Sequence, residues 1–302
     1  MKKFTAFVCY LDLLGTKGRF LNKESTRHEI DRLARVQQIM RNILAANQPS
    51  DENTTCSNAF FFSDGGCVVE ETDAHFNGEA QTDNELACSF FLQNIADCQT
   101  ELIREGFLVR GYATVGMVGV GPDFAVGPAV CKAVAGEASV CGPFVQVDEE
   151  LLQFVYKGYY RERRGRKAPD DELFGGESWN DFFLYDQRSG AILLNYMNNW
   201  EDLDVDITEA LARQKETIES YGPKTEQSAA KYFALASFHN QVVQMRFPHL
   251  ANDPGTRFLV SEDALSMMAQ FNAFSLSNAI DKLTSIRAQA YASVQKELSK
   301  IT

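Results

Sequence analysis

Two hydrophobic rhythms alternate along the first 150 residues. Phe4 to Leu11 is a short, unbroken apolar run rich in aromatic and β-branched residues, and it predicts a strand buried on both faces. Asp12 closes the run, and Gly15 lets the chain turn. From Glu24 to Ala46, apolar residues recur at helical spacing (Ile30, Leu33, Val36, Met40, Ile43, Leu44), and Gln48-Pro49 ends the stripe. Asn58 to Ser63 and Cys67 to Glu70 are short apolar runs flanking Asp64-Gly65-Gly66, a hairpin signal. A second helical stripe covers Asn84 to Glu105, with Phe91, Ile95, Cys98 and Leu102 on one face and Gly106 at its stop. Phe107 to Val115 then reads as a fourth strand.

The order strand, helix, strand, strand, helix, strand is the split βαβ arrangement, with both helices covering one face of an antiparallel sheet. Beyond it the pattern predicts a Gly-rich turn (116–127), a short helix from Pro128 to Ser139 and a strand from Phe144 to Val147. A hairpin is expected from Phe182 to Asp186 and Ala191 to Tyr196. Arg161 to Glu172, beside Gly175-Gly176, reads as a solvated loop. Helices are expected at Ile207 to Tyr221, Thr225 to Met245 and Ser275 to Leu298. The fold class expected is therefore α+β: a ferredoxin-like βαββαβ core in residues 1–198 with a helical C-terminal region, 199–302, packed on it.

Charge narrows the partners. Lys plus Arg number 29 against 41 Asp plus Glu, a net charge of −12 over 302 residues. Such a surface repels nucleic-acid phosphates and anionic membranes, so neither is expected as a partner. Lys2-Lys3 before the first apolar run resembles a signal peptide only superficially, because Asp12 interrupts it. No run approaches the ~18 apolar residues of a membrane span. Seven cysteines without a Cys-x-x-Cys pair suit a reduced, cytoplasmic protein. No His-Glu-x-x-His or Gly-x-Ser-x-Gly occurs. Gly222-Pro223-Lys224-Thr225 lacks the upstream Gly of a phosphate-binding loop and reads as a helix start.

Two carboxylates stand out. Asp12 ends the first strand and Asp64 occupies the hairpin tip. In a split βαβ sheet the first and third strands are neighbours, so these two acids meet at one edge. Paired carboxylates repel unless a cation lies between them. Hard oxygen donors suit Mg²⁺ or Mn²⁺, with open positions left for water and substrate phosphates. The same residues would also serve as simple turn caps.

Phe7-Val8-Cys9-Tyr10-Leu11-Asp12-Leu13-Leu14-Gly15 resembles the first metal motif of class III nucleotide cyclases, and Phe62-Ser63-Asp64 resembles the second. Arg110-Gly111-Tyr112-Ala113-Thr114-Val115-Gly116 is similar to their central strand. Gly127-Pro128-Ala129-Val130, then Glu137 and Pro143, is similar to the helix that follows and its exit. Phe-Ser-Asp and Gly-Pro-Ala together, with Lys231-Tyr232 and Phe238-His239-Asn240, resemble the pyrimidine nucleotide cyclases of bacterial Pycsar antiphage systems.

That resemblance implies a homodimer with active sites at its interface, forming a 3′,5′-cyclic nucleotide and pyrophosphate from UTP or CTP. Asp12 and Asp64, with Leu13, would hold two Mn²⁺ or Mg²⁺ ions. Leu13, Leu14, Gly15 and Thr16 would cradle the triphosphate with backbone N–H groups. Phe60 and Phe124 match the base-contact positions, where core phenylalanines would look the same. The purine enzymes' transition-state Asn and Arg fall here at Cys131 and Ala135, and the Arg often following the Pro is Phe144. Positive charge would come instead from Arg110, Lys132 or Lys17. The alternatives are a catalytically silent homologue that binds nucleotide or a partner protein, and another palm-type phosphoryl transferase.

Overall fold

The computed structural model describes residues 1–14, 26–46, 58–62, 64–72, 75–76, 79–80, 84–140, 142–162, 182–201, 206–221, 226–251, 258–260 and 274–300. Strand β1 (Lys2–Leu13) lies at the centre of the main sheet, between β3 (Gly65–Glu71) and β6 (Val109–Val120), antiparallel to both. Beyond β3 comes β2 (Asn58–Phe62). Beyond β6 come β8 (Val145–Val147), which is parallel to it, then β10 (Ala191–Leu194), β9 (Phe183–Asp186) and β11 (Phe274–Ser275). The two-residue β7 (Ala125–Val126) pairs with β6, and β4 (His75–Phe76) with β5 (Glu79–Ala80) makes a separate ribbon.

Alternation along β1 sorts its side chains between two cores. Phe7, Cys9, Leu11 and Leu13 face the large core with helices α1 (Thr26–Ala46), α2 (Asn84–Arg104) and α4 (Glu149–Glu162). Ala6 and Val8 face a smaller one, with Ala129 and Ala133 of α3 (Pro128–Glu137) and with Phe60 and Val69. Small residues at 129 and 133 let α3 lie close against the sheet. The C-terminal helices α5 (Ile207–Tyr221), α6 (Glu226–Arg246) and α8 (Leu276–Leu298) add Leu211, Phe238 and Ile286 to the large core. A short helix, α7 (Pro248–Ala251), follows α6.

The α+β architecture and the neighbouring first and third strands match the sequence reading, with three corrections. The segment read as a Gly-rich turn from residue 116 is mostly strand, because β6 stays paired with β1 as far as Lys2↔Val120. Helix α4 is absent from the sequence reading. It starts where the Asp148 carboxylate accepts the Glu150 N–H at 3.2 Å, and it buries Leu151, Leu152, Val155 and Tyr156. Finally, Phe274–Ser275 is an edge strand against Asp186 and Tyr185, not a helix start. Of the loop read from Arg161 to Glu172, Arg161 and Glu162 instead end α4, while Arg163 to Glu172, Gly175-Gly176 and Gly222 to Thr225 lie outside the described residues.

Candidate active site

Strand register makes Asp12 and Asp64 neighbours. Asp12 pairs across β1 with Gly65 on one side and Arg110 on the other. One residue on, the Leu13 N–H donates to the Asp64 carbonyl at 3.1 Å. Asp12 and Asp64 are among the residues bordering one small, mainly apolar cavity of about 10 Å³ under Leu33, Val36 and Met40 of α1, but the Asp12 carboxylate lies on the other face of β1 from Leu11 and Leu13, toward Arg110. A Cβ at Gly65 would lie 2.4 Å from the Tyr10 hydroxyl, which would have to shift.

A charged cluster surrounds Asp12. One arm of Arg110 reaches Asp12 Oδ2 at 3.3 Å, and its Nε meets Glu137 Oε1 at the end of α3. A contact of 3.3 Å is long for a charge-assisted hydrogen bond, which sits nearer 2.7–2.9 Å. Burial pushes the Asp12 carboxyl up, Arg110 pulls it down and Asp64 pushes it up again; the net is upward. Glu137 behaves alike: burial raises it, Arg110 opposes, Asp12 adds to the rise, and the net is upward. Lys231, on α6, lowers both carboxylates by its charge. Burial outweighs the guanidinium at both carboxyls.

Divalent ions of the Mg²⁺ type are commonly held by one or two carboxylates plus substrate phosphates rather than by an all-protein cage. Asp12 and Asp64, two hard donors at adjacent strand ends, fit that donor set. Among the described residues no group of three His, Cys, Asp or Glu side chains converges to hold a metal alone.

The remaining candidates divide sharply. Two of the four N–H groups of the expected triphosphate cradle are already spent: Leu13 donates to Asp64, and Leu14 to the Leu108 carbonyl at 2.8 Å. Both serve the sheet, which corrects the expectation for Leu13 and Leu14; Gly15, Thr16 and Lys17 lie outside the described residues. Lys132 is also elsewhere. Its ammonium lies 2.5 Å from Asp148 and 2.7 Å from Glu150, pinning α3 to the start of α4. The Tyr112 hydroxyl bonds to the same Asp148, and burial, with that carboxylate's charge, pushes it up to about 12.

Phe60 is buried beneath α3. Phe124 is exposed, but it follows the far end of β6, where Val120 pairs with Lys2. Ten residues of β1 separate that end from Asp12, about 30 Å at strand rise. One protomer does not bring Phe124 to Asp12. Cys131 and Ala135 both sit on the exposed side of α3.

Neither a protein-family model nor a curated protein matches the chain. The solved structures that align with it include the following two. One is a bacterial light-regulated adenylyl cyclase, at 13% identity and a TM-score of 0.34, covering 51% of this chain and 80% of that one. The other is the catalytic core of a rhodopsin-guanylyl cyclase with converted specificity, in complex with ATPαS. It aligns at 16% identity and a TM-score of 0.35, covering 51% and 83%.

Sequence reasoning placed Glu137 and Lys231 only within resemblance motifs, not in the site. The available signal for Glu137 was a lone acid ending a helix of small and apolar residues. Lys231 gave none, since it comes from an element more than a hundred residues from either Asp. Among the described residues no helix is long and apolar enough to cross a membrane.

Proposed function

We propose that the chain is a pyrimidine nucleotide cyclase, converting UTP or CTP to its 3′,5′-cyclic nucleotide and pyrophosphate as a signal in antiphage defence. The observation that carries this reading is the placement of Asp12 beside Asp64 at adjacent strand ends. Asp12 and Asp64 would hold Mn²⁺ or Mg²⁺, which supplies acidification of the attacking 3′-hydroxyl and charge stabilisation on the phosphoryl group. Arg110 pairs with Asp12 and with Glu137.

The distance of Phe124 from Asp12 supports a homodimer in which one protomer supplies the acids and its partner the base contacts. Met117, Phe124 and Val126, all exposed near the far end of β6, offer apolar surface for that contact. In this reading residues 1–198 form the catalytic unit and 199–302 the helical region on it. The expected result is release of pyrophosphate and a cyclic pyrimidine nucleotide when the protein is incubated with each ribonucleoside triphosphate and Mn²⁺. Asp12→Ala or Asp64→Ala should reduce it at least a hundredfold. Inertness toward all four triphosphates would refute the reading.

A second reading, a silent homologue that binds nucleotide, is favoured by one observation: α3 presents Cys131 and Ala135 where purine enzymes carry Asn and Arg. Calorimetry showing binding without turnover would select it.

A further inference from the structure

A cavity of about 650 Å³ opens between α1, the C-terminal end of α2 and α5, and it shares no lining residue with the small cavity beside Asp12 and Asp64. That volume falls in the range of small-molecule sites. Every cation on its walls is an arginine: Arg32 and Arg35 from α1, Arg104 from α2 and Arg213 from α5. Four guanidinium groups on one cavity are a concentration in a chain with 29 basic residues in 302 and a net charge of −12.

The way α2 ends explains how these side chains meet. Gly106, at a φ of +81°, lets its own N–H reach the Ile103 carbonyl at 2.9 Å and the Phe107 N–H reach the Leu102 carbonyl at 2.8 Å. Thr217 of α5 donates its hydroxyl to the same Ile103 carbonyl at 3.4 Å, which seats α5 on this helix end. Bare carbonyls at a helix C-terminus ordinarily repel anions. Here those of Glu101, Leu102 and Ile103 are all taken. The Phe107 ring carries the Arg32 guanidinium, with Cζ 4.4 Å from its centroid. Each of the other three arginines is held by one glutamate. Arg35 Nη2 lies 2.5 Å from Glu105, Arg104 Nη1 2.7 Å from Glu101 and Arg213 Nη1 3.5 Å from Glu216. Each of these contacts engages one terminal nitrogen of a group with several N–H donors, so the glutamate orients the fork and leaves most of it open. Open guanidinium edges match the planar, bidentate pattern of carboxylate and phosphate oxygens. Glu209, exposed on the first turn of α5, is the lining acid that joins no ion pair among the described residues.

We infer that this cavity binds a small, multiply charged oxyanion of phosphate or polycarboxylate chemistry, gripped by α1 and α2 on one side and by α5 on the other. A lone carboxylate cannot reach guanidinium groups on three walls of a cavity this size, and a ligand with two or more anionic groups can. The glutamates preorganise the arginines, so binding does not have to pay for ordering long side chains. Helix α5 belongs to the helical region of residues 199–302, and an anion held here ties that region to two helices of the core. The inference stands apart from the cyclase reading and does not depend on it.

The test titrates the full-length protein by calorimetry with inorganic pyrophosphate and, separately, with citrate. EDTA is present, so that no divalent ion at Asp12 and Asp64 contributes. Saturable binding of one anion per chain is expected, and the two titrations tell a phosphate ligand from a carboxylate one. Arg104→Gln and Arg213→Gln each remove a charged hydrogen-bond donor and should weaken binding about tenfold. Glu209→Gln removes a repelling charge and should tighten binding or leave it unchanged. Thermal midpoints confirm folding. Should Arg104→Gln fail to fold, Arg213→Gln decides alone, since the Arg213 ion pair is confined to one helix. Binding of neither anion, or losses below about threefold in both arginine variants, would overturn the inference. So would weaker binding by Glu209→Gln, the mark of a ligand that brings a cation to that carboxylate. Turnover of a nucleotide enters none of these readouts.

Discussion

His239 should make the protein measurably less stable in mild acid. Its ring is fully buried on α6, and Nε2 lies 2.6 Å from the Phe258 carbonyl oxygen. A carbonyl can only accept, so the proton sits on Nε2, and Nδ1 is left buried without a hydrogen-bond partner. Protonating Nδ1 would place a charge and an unpaired N–H in the core. Burial accordingly pulls the imidazole from 6.5 down to about 4, against the opposing pull of the Phe258 carbonyl. In the unfolded chain the ring takes up its proton near pH 6.5, while the folded protein resists until about pH 4. The neutral ring's stability is therefore whole above pH 6.5 and is lost as the pH falls toward 4. The full gap corresponds to about 3 kcal/mol at about 1.4 kcal/mol per decade, of which about 2 kcal/mol is gone by pH 5. The assay is urea unfolding at pH 7.5 and pH 5 for wild type and His239→Gln, whose amide still donates to Phe258 but does not titrate. Asp12 and Glu137, both raised in the fold, act in the opposite direction but contribute equally to both proteins and cancel in the comparison. Wild type should lose about 2 kcal/mol more than His239→Gln over this range. Equal losses would refute the argument.

Two further outcomes follow from packing. Gly111→Ala places a Cβ 2.6 Å from both the Tyr10 carbonyl oxygen and a Leu11 methyl carbon at the sheet centre, so β1 and β6 must part. Overpacking of this kind costs about 1–3 kcal/mol, read as a lower unfolding midpoint. Of the five cysteines whose surroundings are described, Cys9, Cys67, Cys88 and Cys98 are buried and Cys131 is exposed. Burial raises the thiols of Cys9, Cys67 and Cys98, so a native-state thiol titration at pH 8 should label Cys131 rapidly and those three only on unfolding.

Much of the βαββαβ order was legible because each element carries a strong local period. The unbroken apolar run of β1 and the helical stripe of α1 announce themselves locally. Helix α4 did not, since Gln153 to Tyr160 is aromatic-rich and broken by Gly158. Its helicity comes from tertiary sources: the Asp148 cap, rings packed on α8 such as Tyr160 against Tyr291, and the large core. The Asp12–Asp64 pairing was legible because topology alone fixes it. The cations were not, because a charge is assigned by whichever carboxylate it meets in space. Lys132 looked available until Asp148 and Glu150 claimed it.

The location of Cys131 and Ala135 bears on how much their identity costs. Both lie on the outer side of α3, while the same helix's inner side, through Ala129 and Ala133, touches the sheet. An arginine at 135 would therefore project away from the Asp12 of its own chain and could serve only a site completed by another protomer. Glu137 and Lys231, by contrast, act on Asp12 within one chain. The pair of acids and its nearby ammonium thus form a unit whose assembly does not depend on what occupies positions 131 and 135. A change on the outer face of α3 leaves the chain's own acids in their geometry.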